Sequence, residues 1–114
     1  MPLLSIEINR SLEASGVEAL LTESSALVAG LLGKPESYMM VRHQYNPDLR
    51  FGGQEGPAAH LELHSIGLPD AMTQDLSQAL CKLIERHAGI PGSRTYILFE
   101  NVPGQLWGHD GTTF

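Results

Sequence analysis

Apolar side chains recur at helical spacing in two stretches of the chain, at positions 20, 21, 27, 28, 31 and 32 and again at 76, 80, 83 and 84. The pattern predicts helices over 13–32 and 69–88. Ser15 with Glu18 has the spacing of a capping box early in the first, and Pro69-Asp70 suits the first turn of the second. Each stretch ends at a glycine two residues ahead of a proline, Gly33 before Pro35 and Gly89 before Pro91, which is a helix stop signal. Elsewhere the period drops to two. Ile6 and Ile8 alternate with Ser5 and Glu7, and Leu61 and Leu63 alternate with His60, Glu62 and His64, as in half-buried strands. Behind each helix stands a β-forming run, Tyr38-Met39-Met40-Val41 and Thr95-Tyr96-Ile97-Leu98-Phe99.

The two halves repeat one another. Gly33-Lys34-Pro35-Glu36-Ser37 and Gly89-Ile90-Pro91-Gly92-Ser93 share G-x-P-x-S at a displacement of 56 residues, from 33 to 89. The same displacement carries Leu20 onto Leu76, Leu27 onto Leu83 and Val28 onto Ile84. The first strands match at 55, one short, so a loop absorbs a residue. The expected architecture is therefore α/β (α+β), one domain over 1–114 with pseudo-repeats at about 1–56 and 57–114. Each repeat is a β-α-β unit, joined by a Gly- and Pro-containing loop over 46–57. Crossovers of this length pair their strands in parallel and with right-handed connections. Together they predict a four-stranded mixed sheet with both helices on one face. The other face is left bare, and self-association is an economical cover for it. The tail from Gln105 to Phe114 holds Trp107, His109 and a terminal Phe, too apolar for a solvated end, and is expected to dock.

Composition narrows the function. A chain of 114 residues with 42% hydrophobic content can bury a modest core without disulfides or metal. Its formal charge of -6 argues against nucleic acid and anionic membrane surfaces as partners, since both need a basic patch. No uninterrupted apolar run approaches the ~18 residues of a bilayer span. The start has no basic region followed by an apolar stretch, so no secretory signal is read there. Cys81 is the only cysteine, which fits a reducing compartment, and the cytosol is the default location.

Candidate chemistry gathers at the start of the chain. Pro2 follows Met1 and leads directly into the strand Leu3-Leu4-Ser5-Ile6-Glu7-Ile8, so the terminus is expected to be held in a sheet rather than to fray. Removal of Met1 would expose a secondary amine, able to act as a base or nucleophile if a pocket desolvates it; a Met-Pro start alone is common and decides nothing. Lys34 complements the dipole at a helix C-terminus. Its counterpart in the repeat is Ile90, so the fold does not require a lysine there. Tyr38 and Tyr96 fall at strand starts, where an aromatic is ordinary packing material. His60 and His64 share a strand face too far apart to chelate, and His43, His87 and His109 have no ligand spacing; surface or hydrogen-bonded histidines are expected, and no metal. Cys81 reads as a buried, inert thiol. With no phosphate-binding glycine motif, no cofactor is expected.

Taken jointly, several stretches resemble the macrophage migration inhibitory factor (MIF) family of the tautomerase superfamily. They are Met1-Pro2 entering a strand, GKPESYMMV over 33–41, Phe51-Gly52-Gly53, LHSIG over 63–67, Arg94-Thr95-Tyr96-Ile97, and Gly108 with Thr113-Phe114 at the end. The likeness runs the length of the chain in family order, and the family's duplicated β-α-β fold and trimer agree with the repeat and the bare face. It implies a keto–enol tautomerase of phenylpyruvate-like 2-oxo acids, with Pro2 as general base once Met1 is gone and sites at the interfaces of a homotrimer. Lys34 matches the family's pocket lysine, and Ser65 and Ile66 the segment whose backbone helps bind substrate. Tyr96 matches the tyrosine supplied by a neighbouring subunit. Phe114, Trp107 and His109 match the C-terminal pocket wall. Leu3, Tyr38, Ile66, Tyr96 and Phe114 would then hold an aromatic ring and exclude water.

The chain departs from the family pattern in places. Leu98 stands where vertebrate members commonly carry an asparagine, so a hydrogen-bond donor is lost. His109 stands where the family often has tryptophan. Ala58 and Leu61 replace the cysteines of the C-x-x-C found in some members, which leaves thiol–disulfide chemistry without residues. Animal relatives also act outside cells without a signal peptide, but a signalling role does not transfer with these motifs. Two alternatives to the tautomerase remain: a binding or signalling module with little catalysis, and a relative using the same proline for hydrolytic or decarboxylase-type chemistry.

Overall fold

The computed structural model describes all residues 1–114. In chain order the elements are β1 (Leu3–Ile8), α1 (Ala14–Leu32), β2 (Met40–Tyr45), β3 (Ala59–Ser65), α2 (Thr73–Ala88), β4 (Thr95–Asn101) and a small terminal hairpin, β5 (Gly108–His109) with β6 (Thr112–Thr113). The main sheet has the order β2-β1-β3-β4. Its outer pairs β1/β2 and β3/β4 are parallel, and the central pair β1/β3 is antiparallel with Ile6 opposite Leu61 and Leu4 opposite Leu63. The two halves thus meet along equivalent strands, as the repeat predicts.

Alternation sorts the faces. Leu4, Ile6 and Ile8 of β1 and Ala59, Leu61 and Leu63 of β3 are buried, and they pack with Leu20 and Val28 of α1 and Leu76, Leu80, Leu83 and Ile84 of α2. At ~25 cal/mol per Å² of apolar surface removed from water, this single layer between helices and sheet is the main stabilising contact. By length and composition alone α1, 19 residues, is apolar enough to cross a bilayer, although it holds no uninterrupted apolar run of that length. Here Leu20, Ser24, Val28 and Ala29 are the side chains it buries on the protein.

The helix boundaries are close to those expected, with one correction at each start. α1 begins at Ala14 behind Glu13, which makes no side-chain cap, and Ser15 lies inside the helix rather than at its cap, so the capping box does not form. Asp70–Met72 is a separate 3₁₀ turn behind Pro69, and Thr73 opens α2 with its hydroxyl donating to the Asp70 carbonyl at 2.9 Å. Both stop signals operate: Gly33 and Gly89 take left-handed conformations, φ 64° and 67°. The caps differ. At Gly33 the chain closes a Schellman motif, with the Lys34 N–H on the Ala29 carbonyl at 2.9 Å, whereas Gly89 makes only the bond to Glu85.

Past each glycine, Pro35 and Pro91 start matching 3₁₀ turns, Glu36–Tyr38 and Gly92–Arg94. Tyr38 therefore closes a turn and does not begin a strand, because β2 starts at Met40. The 46–57 loop is tied down by Asn9, whose amide donates to the Leu49 and Gly56 carbonyls at 2.9 and 2.7 Å and whose oxygen accepts from the Ala58 N–H at 2.7 Å. The two helices are bridged by Glu23, which accepts from both Arg86 and His87.

Those two partners hold the Glu23 carboxyl below its ordinary value of 4.5, His87 contributing first and Arg86 second. A carboxyl depressed in the folded state stabilises above its unfolded pKa and loses that contribution as pH falls through the folded value. Glu23→Gln should accordingly lower the thermal midpoint at pH 7 slightly, since the bridge is half-exposed. The gap from the parent protein should close as pH drops below 4.5. Equal midpoints at pH 7 would show that the bridge contributes nothing.

Candidate active site

β1 lies inside the sheet, and the pairing begins before its first residue, with the Met40 N–H donating to the Pro2 carbonyl at 3.0 Å. Pro2 is consequently buried, not frayed. Beside it opens a cavity of about 340 Å³ lined by Met1, Pro2 and Leu3, by Tyr38 and Met40, and by Trp107, His109 and Phe114 of the tail. Seven of its eleven lining residues are hydrophobic, so water competes poorly for a ligand's ring there.

The tail builds the outer wall. Asp110 and Gly111 take positive φ of 49° and 79°, which turns the chain back as a tight hairpin and returns Phe114 to Trp107, N–H to carbonyl at 3.2 Å. Phe114 stacks on His109 with ring centres 5.5 Å apart, and both meet the Tyr38 ring edge-on at 6.2 and 6.1 Å. The docking of the tail is as expected; the hairpin was not read, although Asp110-Gly111 is a turn dipeptide. Met40, Ser37 and Met39 also line the cavity without having been singled out.

Lys34 is not a lining residue, but its charge reaches the Met1 amine at the cavity. Its ammonium donates to the Ile66 carbonyl at 2.8 Å, which ties the end of α1 to the end of β3. The amine at position 1 is pushed below its ordinary 8.0, by burial first and by the Lys34 charge second. Ser65 is fully buried, with its hydroxyl donating to the Ile66 carbonyl at 3.3 Å, so its side chain is turned away from the cavity. Ile90, the repeat counterpart of Lys34, is a fully buried core residue. The duplicated position has been used once for packing and once for charge.

Of the sequence-predicted residues, Pro2, Leu3, Tyr38, Trp107, His109 and Phe114 line the cavity; Lys34, Ser65 and Ile66 do not, and Tyr96 and Leu98 lie at a distance. Tyr96 and Leu98 stand exposed on the open face of β4, and Tyr96 pairs in register with His60, itself opposite Glu7 at the far end of β1 from Pro2. Within one chain they cannot reach the cavity. Of the histidines, His60 and His64 face Glu7, and Glu62 and Glu100, at 3.6 Å. His43 departs from expectation: its Nε2 is buried without a partner, and burial lowers its pKa. Cys81 is half-buried beside Gly92, with its thiol pushed up chiefly by burial.

A duplicated β-α-β chain whose Pro2 lines an apolar pocket has the architecture of the tautomerase superfamily. The chain belongs to the macrophage migration inhibitory factor (MIF) family, whose model matches residues 1–114. It is 36% identical to the MIF homolog of Trichuris trichiura and 38% identical to that of Trichinella spiralis, with the whole of each chain covered. The crystal structure of the Prochlorococcus marinus MIF homologue superposes with a TM-score of 0.93 at 42% identity, covering 98% of both chains. The Trichinella spiralis structure gives 0.89 at 37% identity over 98% of this chain and 99% of that one.

The tail wall depends on a close approach at Gly104. A Cβ there would lie 2.8 Å from the Phe114 oxygen and 3.1 Å from its carbonyl carbon, and the backbone φ is ordinary, so contact rather than strain excludes a side chain. Gly104→Ala should displace Phe114 and expose Trp107, the only tryptophan, shifting its emission to the red. Leu106→Ala, at a residue 73% exposed, should leave the emission unchanged. An unshifted spectrum for Gly104→Ala would show that the wall does not rest on this contact.

Proposed function

We propose that the protein is a keto–enol tautomerase of phenylpyruvate-like 2-oxo acids, working as a homotrimer in the cytosol, with the Pro2 amine as general base after loss of Met1. One observation supports the reading: the Met1 amine, beside the apolar cavity that Met1 and Pro2 line, has its protonation disfavoured by burial and by Lys34, and a Pro2 amine freed at that point would meet the same two effects. A free prolyl amine is mostly ammonium at neutral pH and useless as a base. Lowered into the working range, it takes the proton from the carbon next to the ketone, a transfer typically worth ~10²–10⁴-fold. The proton then passes to the enolate oxygen, which gives the enol and restores the amine. Lys34 pairs with the substrate carboxylate, and the Ile66 N–H steadies the developing oxygen charge. Leu3, Tyr38, Trp107, His109 and Phe114 enclose the ring.

The placement of Tyr96 and Leu98 supports a shared site. The open sheet face is apolar at two opposite corners, Leu3 with Met40 beside the cavity and Tyr96 with Leu98 on β4, and polar between them. Two different patches on one subunit make a head-to-tail contact, which gives a ring where the rotation between subunits closes. In a trimer Tyr96 and Leu98 complete the neighbour's pocket. Sedimentation at micromolar concentration should return three times the chain mass; a monomer would remove the shared site.

Pro2→Gly should lower phenylpyruvate tautomerisation roughly tenfold or more, the low end of what a positioned base contributes. Because the unprotonated amine is the active form, and a Pro2 amine in the place of the Met1 amine would meet the same burial and the same Lys34 charge, kcat/KM should rise with pH to a midpoint below that of a free prolyl amine. Lys34→Ala should move that midpoint upward. A second reading attaches to Met1, which lines the cavity itself. If Met1 stays, the Pro2 nitrogen is an amide and the protein is a binding module; intact mass decides between them. Unchanged turnover in Pro2→Gly would exclude the proline as base.

A further inference from the structure

Phe51-Gly52-Gly53 and Arg94 serve no part of the cavity, yet they converge on Tyr96. Gly52 and Gly53 hold φ of 63° and 71°, the two positive values of a tight hairpin turn, and the Gln54 N–H closes it on the Phe51 carbonyl at 3.1 Å. That turn is clamped from one side by Arg94. Its guanidinium donates to the carbonyls of Pro57 and Gln54, the second at 3.2 Å, and lies over the Phe51 ring at 5.4 Å. A Cβ at Gly56 would stand in ordinary contact with this guanidinium, 3.8 Å from its central carbon. Held in this way, the Phe51 ring packs against Tyr96 with centres 4.8 Å apart. Tyr96 itself is 65% exposed, so within the chain this ring is the neighbour that limits its rotamers.

We infer that Phe51 and Arg94 are positioning residues that brace Tyr96 in the orientation it presents to the adjacent subunit. The inference rests on the proposed shared site and names the device that sets its geometry. An exposed tyrosine pays rotamer entropy when it is ordered against a ligand. A ring already packed on Phe51 has paid it before substrate arrives. The brace acts on ground-state and transition-state binding alike, so its loss belongs in KM rather than kcat.

The test is a double-mutant cycle read by phenylpyruvate kinetics together with fluorine resonances of fluorotyrosine-labelled protein, with Tyr96 assigned by its loss in Tyr96→Phe. Phe51→Leu should raise KM about two- to tenfold, the worth of an aromatic pair, with kcat little changed, and should shift the Tyr96 resonance. Phe51→Tyr, which keeps the ring, should restore both. In a Tyr96→Leu background Phe51→Leu should have no further effect on KM. Arg94→Lys keeps the charge but cannot hold two carbonyls with one planar fork, and should reproduce Phe51→Leu in milder form; it stands in should Phe51→Leu fail to fold. An unmoved Tyr96 resonance, an unchanged KM, or an equal rise in both backgrounds would overturn the brace. Absence of turnover in the parent protein is a different result: it defeats the tautomerase reading, while the resonance still reports whether Phe51 holds Tyr96.

Discussion

The candidate site exists because the first residues of the chain are the inside of its sheet. β1 is hydrogen-bonded on both edges, in parallel to β2 and antiparallel to β3, and the Met40 N–H extends that ladder onto the Pro2 carbonyl. A terminus on an edge strand would fray and its amine would titrate as in water. Pairing on both sides removes that freedom. The amine is delivered to one point, beside the apolar wall built by the tail and beside the end of α1 that carries Lys34. Every electrostatic effect at the site follows from this placement, since both burial and the lysine charge act only on an amine that stays where it is.

Duplication provided the frame, and departures from the duplicate provided the chemistry. The matched glycine stops and 3₁₀ turns bring the chain out of both helices along the same path. At the first exit the Schellman closure orders Lys34, whose ammonium then reaches the Ile66 carbonyl. At the second, Ile90 goes into the core. The repeats also differ beyond β4, where only the second half continues into the hairpin that walls the cavity. One half thus carries Pro2 and the Lys34 cation, and the other contributes the anchoring carbonyl and the cover.

The open face of the sheet behaves differently from an uncovered core. Its centre holds Glu7 with His60 and Glu62 with His64, all paired and partly solvated. Exposed apolar surface on this face is therefore concentrated at the two corners, which are unlike each other. A polar centre with dissimilar corners disfavours face-to-face stacking of two sheets and favours edge-wise, head-to-tail contact. The same arrangement leaves Tyr96, held by Phe51 and Arg94, pointing away from its own chain's cavity.

Periodicity in the sequence was enough to determine the helices, the strands, the repeat and the sheet with helices on one face, because these follow from which side chains must leave water. The left-handed stops at Gly33 and Gly89 were equally legible, since glycine is the residue that tolerates them. The misreadings were local. Ser15 with Glu18 has capping-box spacing, but the cap position is Glu13, two residues earlier, and Tyr38 has a strand former's chemistry but sits in the turn that Pro35 imposes. What only the tertiary structure decided is which distant residues share a site. Spacing along the chain says nothing about the cross-strand register that sets Ile66 beside Lys34, nor about the hairpin that folds Phe114 back onto Gly104. The separation of Tyr96 from Pro2, which only the family resemblance implied, has its physical cause in the antiparallel pairing of β1 and β3, which sends the two halves' strands in opposite directions and so places the two at opposite ends of the sheet.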